Sequence, residues 1–125
     1  MKYEWMDEYF LSKKGALKDF KEEWGATRYL IGGKMFGLQG TDNTNREVIT
    51  VKCEPLFGQL LRDQHANIIP GYYMNKEHWN SVYLDGEVPD DVLKQMIDMS
   101  YGLILKSLSK KMQKEILEGS EVSSK

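Results

Sequence analysis

Basic side chains stand beside several predicted turns and strand ends in this chain, where they could contact phosphate groups. Lys34 follows a Gly-Gly pair, Lys52 lies in an alternating segment, and Lys76 and His78 lie in a short polar stretch. Short basic loops beside strands can fix a protein on nucleic acid, because phosphate contacts set its position. We add Arg62 as a further phosphate contact. Strand-edge lysines on an ordinary solvated face would give the same pattern, so both interpretations stand.

The overall charge limits the first interpretation. The 125 residues contain 17 basic and 19 acidic side chains, which gives a net charge of -2. A dedicated nucleic-acid-binding protein usually has a basic surplus or a basic stripe. Any contact with DNA must therefore depend on a local patch, because the overall field does not attract phosphate.

Aromatic side chains gather in the segment PGYYMNKEHWNSVYLDG, and they admit three interpretations. Tyr72, Tyr73, Trp79 and Tyr83 could stack against single-stranded bases. They could instead fill the space between sheet and helices, which we favour for Trp79. Alternation along a strand places Tyr72 and Tyr73 on opposite faces, so we expect at least one at the surface. A deep pocket lined by Tyr72, His78 and Trp79 would indicate a small ligand.

Side chains for catalysis or metal binding are sparse. Cys53, His65 and His78 are the only soft ligands, and their spacing matches no zinc signature. Ser100 and Ser107 lie in a predicted helix without a glycine-flanked elbow. We therefore predict no enzyme activity, no metal and no cofactor.

The location is predicted from cysteine usage and from the apolar runs. A single cysteine permits no disulfide within the chain, and no apolar run approaches the roughly 20 residues that cross a bilayer. The acidic N-terminal segment MKYEWMDEYF lacks the apolar core of a signal peptide. These features predict a cytoplasmic protein that contacts no membrane.

The elements that must position these residues follow from periodicity. Apolar spacing predicts a first helix over Tyr3–Leu11, and residues 16–24 fit either a helical stripe or a short edge strand. Gly32-Gly33 between two apolar runs predicts a two-residue hairpin. Val48–Cys53 alternates as a strand, and Pro55 begins a helix that runs to about Gln64. We expect Leu56, Leu60 and Leu61 of this helix to face the core.

A long final helix is the clearest element. Pro89 and two aspartates suit its first turn, and apolar residues recur every three or four positions from Leu93 to Met112. Lysines gather in its second half, and Gly119 is expected to end it before a frayed tail over 120–125. We therefore predict one domain over residues 1–119.

Four motifs in order resemble the MmcQ/YjbR family: GGKMFGL, VITVKCEP, PGYYMNKEHWNSVYLDG and VPDDVLKQMIDMSYGLILKSL. The resemblance covers nearly the whole chain. It implies a frataxin-like (CyaY-like) and secretion-chaperone-like layout, in which helices cover one face of an antiparallel sheet. It also implies a double-wing mode of DNA binding. Tyr73 stands where the family commonly has histidine, which speaks against a shared histidine chemistry at that position.

These observations predict an α+β domain with an antiparallel sheet of about five strands. An N-terminal helix, a short middle helix and a long C-terminal helix pack on one face. The first functional hypothesis is DNA binding, with wings at Lys34 and Lys76 and phosphate contacts from Lys52 and Arg62. The second is a protein-binding adaptor or homodimer, suggested by the acidic balance, numerous aromatics and seven methionines.

Overall fold

The computed structural model describes residues 2–71 and 75–123, with side chains described up to residue 118. It contains an antiparallel sheet and helices, as predicted. The strands are β1 (Leu17–Lys21), β2 (Ala26–Ile31), β3 (Lys34–Thr41), β4 (Glu47–Lys52), β5 (Ile68–Pro70) and β6 (Trp79–Tyr83). The helices are α1 (Met6–Leu11), α2 (Pro55–Gln64), α3 (Asp90–Ser107) and α4 (Lys110–Ser123).

The strands form one sheet in the order β1-β2-β3-β4-β6-β5, and every neighbouring pair is antiparallel. The first four strands follow each other as a meander. The last two strands lie in the opposite order from the sequence: β6 pairs with β4, and β5 pairs with the outer side of β6. The α+β prediction is confirmed, with one strand more than the five expected.

The extra strand is β1, which settles the ambiguity over residues 16–24. Leu17 pairs with Leu30 and Lys21 pairs with Ala26, so the segment is an edge strand. Gly25, at φ 60°, follows the turn back into β2. A helix here would have needed a core-facing side for Leu17 and Phe20, and both side chains are exposed.

The Gly32-Gly33 hairpin is confirmed. Both glycines have positive φ, at 57° and 80°, which is the conformation of the tight turn that suits a twisted hairpin. β3 then carries an irregularity at Phe36: Leu30 pairs with Met35 and Tyr29 with Gly37. Phe36 is the extra residue and lies in the core.

The core lies between one face of the sheet and helices α1 and α3. Phe10 of α1 stacks on Tyr29 with ring centroids 4.0 Å apart. Ser100 of α3 donates a hydrogen bond to the Phe36 carbonyl at 2.6 Å and accepts one from the Lys52 amide at 2.9 Å. This buried hydroxyl therefore joins α3 to both β3 and β4.

Helix α2 has the predicted bounds, but the prediction that its three leucines face the core is wrong for two of them. Leu61 is buried, whereas Leu56 and Leu60 are 82% and 50% exposed. Gly58 faces inward beside Asn80 of β6. Docking through this glycine turns the Leu56–Leu60 side of the helix toward solvent.

The final helix is interrupted where one continuous helix was expected. α3 ends at Ser107, Leu108 is extended with ψ 163°, and α4 begins at Lys110. The Ser109 hydroxyl accepts a hydrogen bond from the Met112 amide at 3.1 Å, which caps the new helix. The expectation that Gly119 ends the helix is also wrong, since α4 continues to Ser123.

Candidate nucleic-acid interface

The strand order brings three of the predicted lysines to one end of the sheet. Lys34 is the first residue of β3, Lys52 is the last residue of β4, and Lys76 lies three residues before the start of β6. These strands are neighbours with alternating direction, so all three positions fall at the same end. His78 lies there too, and its carbonyl accepts a hydrogen bond from the Cys53 amide at 2.7 Å. We call this the lysine-rich end.

The two C-terminal helices add cations to the same end. The Lys34 ammonium lies 3.4 Å from the Ser107 hydroxyl, where α3 finishes. α4 then crosses from the hairpin to the α1–β1 connection: a Cβ on Gly32 would lie 2.8 Å from the Met112 sulfur, and one on Gly15 would lie 2.9 Å from Ile116. The lysines added in this way are exposed, and they are Lys106, Lys110, Lys111 and Lys114.

The sequence shows these helix lysines, but it does not predict that they lie close to the strand lysines. The run SKKMQK puts basic residues on the side of α4 opposite Met112 and Ile116, which face the body of the protein. They lie near Lys34 because of the direction in which α4 crosses the sheet. No local sequence pattern predicts that direction.

Acidic residues collect at the opposite end of the molecule. The β1–β2 turn, the β3–β4 turn, the β6–α3 connection and the start of α3 all lie there. The carboxylates of this acidic end include Glu22, Glu23, Asp42, Glu47, Asp85, Glu87, Asp90 and Asp91. Arg46 is paired within it, with its guanidinium 2.7 Å from the Asp85 carboxylate. Lys2 and Lys94 also lie at this end. Positive and negative charges are therefore distributed unevenly, but not exclusively, along the strand direction.

The side chains of Lys34 and Lys52 project from opposite faces of the sheet. Val51 and Cys53 are core residues, so Lys52 between them points to the face without the core helices. Lys34 lies toward α3, as its contact with Ser107 shows. The lysine-rich end therefore presents charge on both sides of the sheet.

Four acids lie among these cations. Glu54 directly follows the end of β4, and the Glu77 carboxylate lies 3.6 Å from the Nε2 atom of His78. Glu115 and Glu118 lie on α4 beside its lysines. All four side chains are exposed. They reduce the local positive charge without cancelling that of the surrounding lysines.

Arg62 lies apart from this set, in a half-buried position on α2. Its guanidinium donates a hydrogen bond to the Asn80 side chain, which is fully buried. Cys53 lies nearby, and burial raises the pKa of its thiol to about 12. The thiol is therefore protonated at neutral pH and is a poor nucleophile. We assign Arg62 to this internal cluster and leave it out of the candidate interface.

Of the predicted aromatic platform, Trp79 is half-buried and packs against the core, in agreement with the packing interpretation. Tyr72 and Tyr73 lie outside the residues that the structure describes. Within residues 2–71 and 75–123, no cluster of three or more His, Cys, Asp or Glu side chains could hold a metal ion. No helix in that part of the chain is both long and apolar enough to span a membrane.

Solved structures share this architecture of helices on one face of an antiparallel sheet. A Deinococcus radiodurans protein, DR2400, which carries a DUF419 domain, superposes with a TM-score of 0.79 at 28% identity. The match covers 89% of this chain and 84% of that protein. A Pseudomonas syringae protein superposes with a TM-score of 0.70 at 25% identity, over 82% of this chain and 98% of that one.

Sequence comparison identifies the family. The YjbR family model matches residues 11–103. The uncharacterised protein YjbR of Escherichia coli K12 is 31% identical over 111 residues, which are 89% of this chain and 93% of that protein. The uncharacterised protein YyaQ of Bacillus subtilis is 37% identical over 83 residues, or 66% of this chain and 67% of that one. The chain therefore belongs to the YjbR family, and α4 lies beyond the matched region.

Proposed function

We propose that this protein binds duplex DNA through its lysine-rich end. The observation that supports the proposal is the separation of charge along the strands. Exposed lysines from β3, the segment before β6, α3 and α4 meet the half-buried Lys52 of β4 at one end, while carboxylates collect at the other. Such a local patch attracts phosphate even where the net charge of the chain is negative.

The geometry suits contacts with both strands of a duplex. Lys34 and Lys76 flank the patch on β3 and before β6, with β4 between them. Two strand spacings amount to about 10 Å, which is similar to the roughly 12 Å width of the DNA major groove. The β2–β3 turn and residues 75–78 act as the two wings. Lysine contacts of this kind position the protein and carry no base preference by themselves.

A salt titration tests the proposal. Labelled double-stranded and single-stranded DNA are titrated with the protein by fluorescence anisotropy, at several salt concentrations. We expect binding that weakens linearly with the logarithm of salt, because each phosphate contact releases counterions. In the Lys34→Glu/Lys76→Glu double variant, the slope for duplex DNA should fall by about two.

The matched control reverses two lysines away from the patch. Lys2 hydrogen-bonds the Gly86 carbonyl and Lys94 lies over the Trp5 ring, so the Lys2→Glu/Lys94→Glu variant has the same total charge change. It should retain most of the wild-type affinity and slope. Equal losses in the two variants would indicate a general charge effect and overturn the proposal. Absence of binding at low salt would overturn it as well.

A second candidate function is binding to another protein chain, and this function also requires no catalytic step. The observation that favours it is the exposure of large apolar side chains at two separate places, Leu17 and Phe20 on the edge strand β1 and Leu56 and Leu60 on α2. Contiguous exposed apolar surface marks interaction sites in folded proteins, and each pair is a candidate contact of this kind.

A further inference from the structure

The two edges of the sheet differ in how they resist pairing with another chain. β5 is three residues long and ends in Pro70, which cannot donate a backbone hydrogen bond. β1 is five residues long and contains no proline. Within the part of the chain that the structure describes, β1 pairs only with β2. Its outer backbone edge can therefore accept a further strand.

β1 also exposes large apolar side chains. Leu17 is 69% exposed and Phe20 is 61% exposed. The other three side chains of β1, Lys18, Asp19 and Lys21, are charged, as is common at a sheet edge. Phe20 lies between Asp19 and Lys21 and offers an aromatic contact to a strand beside it.

We propose that β1 pairs antiparallel with β1 of a second copy of this chain, in the register that places Phe20 against Phe20. In this register Asp19 of each copy faces Lys21 of the other. Lys18 of each copy comes beside Glu22 of the other. The joined sheet then continues through both molecules, with the core helices of both copies on one side.

The charges of this segment select that register. Side chains alternate in direction within β1, so Lys18 and Phe20 share one face, and Asp19 and Lys21 share the other. The facing pair Asp19–Lys21 is then of opposite sign, which stabilises antiparallel strands. Lys18 is already paired with Asp7 of its own chain, and Glu22 is the first residue of the turn after β1. A pairing centred on Lys18, Asp19 or Lys21 would instead place that charge against its own copy. Like charges directly opposite each other destabilise strand pairing.

The existing contacts of these side chains are compatible with the dimer. Arg28 donates a hydrogen bond from Nε to the Asp19 carboxylate at 2.8 Å, on the face away from the core helices. A carboxylate can accept further hydrogen bonds beside such a pair. Lys21 lies on the same face, near the Trp24 ring. Asp19 can therefore lie between Arg28 of its own chain and Lys21 of the second copy.

The small size of the contact predicts a weak dimer. Five residues from each copy bury less area than a standard stable interface. We therefore expect reversible, concentration-dependent association. A two-fold contact uses the same edge on both copies and closes at two chains, so no fibre follows from it. This inference does not depend on DNA binding.

Complementary charge variants test the register. The Asp19→Lys chain presents two cations at the facing positions, and the Lys21→Glu chain presents two anions. Each variant alone should lose the dimer at concentrations where the wild-type chain associates. An equimolar mixture should regain it, because the opposite charges then face each other. Sedimentation equilibrium measures this as a return from the 14.5 kDa chain mass toward twice that mass.

Folding and surface controls accompany the mixing experiment. Far-UV circular dichroism and thermal melting verify that each variant is folded. Phe20→Ser should also abolish association, whereas Leu60→Ser, an apolar position on α2 that is 50% exposed, should leave it unchanged. A wild-type chain that remains monomeric at every concentration reached would overturn the proposal. A dimer that persists in both single variants, or a mixture that stays monomeric, would overturn it too.

Discussion

At the scale of single residues, Asp42 is the carboxylate most tightly held at the acidic end. Its side chain accepts hydrogen bonds from the Thr44 hydroxyl at 2.7 Å, from the Thr44 and Arg46 amides, and from the Tyr83 hydroxyl at 3.0 Å. These donors, led by the Thr44 hydroxyl, lower the pKa of Asp42 to about 2. The carboxylate thereby closes the β3–β4 turn and ties it to β6.

Asp42 should contribute to stability in a pH-dependent way. Its folded pKa lies below the unfolded value of about 4, so its charged form is favoured by folding. The contribution is complete above about pH 4 and is lost as the pH falls toward 2. We expect the difference in free energy of unfolding between wild type and Asp42→Asn to shrink over that interval, measured by urea denaturation.

Tyr83→Phe provides an internal check on this prediction. It removes one of the four donors to Asp42 and keeps the ring, so the pKa of Asp42 should rise partway toward its usual value. The pH-dependent loss in this variant should begin at the same pH as in wild type, because the unfolded pKa is unchanged, but it should be smaller and should finish at a higher pH. A difference between wild type and Asp42→Asn that stays constant from pH 5 to pH 2 would contradict the assignment.

At the scale of elements, two glycines show how context decides the effect of one substitution. A Cβ on Gly37 of β3 would overlap the Phe10 ring of α1, whereas a Cβ on Gly102 of α3 would meet nothing within 4 Å. The absence of a side chain at Gly37 thus allows α1 to pack closely against the sheet. Gly102 has no such role and weakens its helix.

Alanine substitutions at these glycines should change stability in opposite directions. Gly37→Ala should lower the free energy of unfolding by about 1–3 kcal/mol through overpacking. Gly102→Ala should raise it by about 0.5–1 kcal/mol, because alanine is the better helix former. Denaturant unfolding at constant pH measures both. If Gly37→Ala left the free energy of unfolding unchanged, Phe10 would have moved aside without cost. The close contact between Gly37 and Phe10 would then not be important for stability.

At the scale of the whole molecule, the polarity of charge makes α4 part of the proposed DNA interface. Lys110 and Lys114 lie four residues apart on its outer side, and Met112 and Ile116 face the body of the protein. These lysines lie beyond residue 103, where the match to the family model ends.

Charge reversal on α4 should therefore weaken DNA binding without unfolding the helix. In Lys110→Glu/Lys114→Glu, we expect the salt slope for duplex DNA to fall by about two, as for the strand lysines. The thermal midpoint should stay close to that of wild type, because both side chains are exposed. An unchanged slope would restrict the interface to the strand lysines and exclude α4 from it.

Features with a local cause were predictable from the sequence. The Gly32-Gly33 hairpin, the start of α2 at Pro55 and the start of α3 near Asp90 each depend on residues within one turn of the chain. The Ser109 cap is equally local. It was not predicted, because the helical spacing of apolar residues continues across Ser109. The α+β class followed from the order of these segments and from the family motifs.

Tertiary structure decided what the local pattern left open. Residues 17–21 form a strand because β2 offers a free edge, and Leu56 and Leu60 are exposed because α2 docks through Gly58. The lysine-rich end exists only because β6 joins β4 and α4 crosses the hairpin. The sequence by itself determined the Gly32-Gly33 hairpin and where α2 and α3 begin, since backbone preferences act over a few residues. Which charges meet was determined by strand order and helix direction, since these depend on the burial of apolar surface contributed by the whole chain.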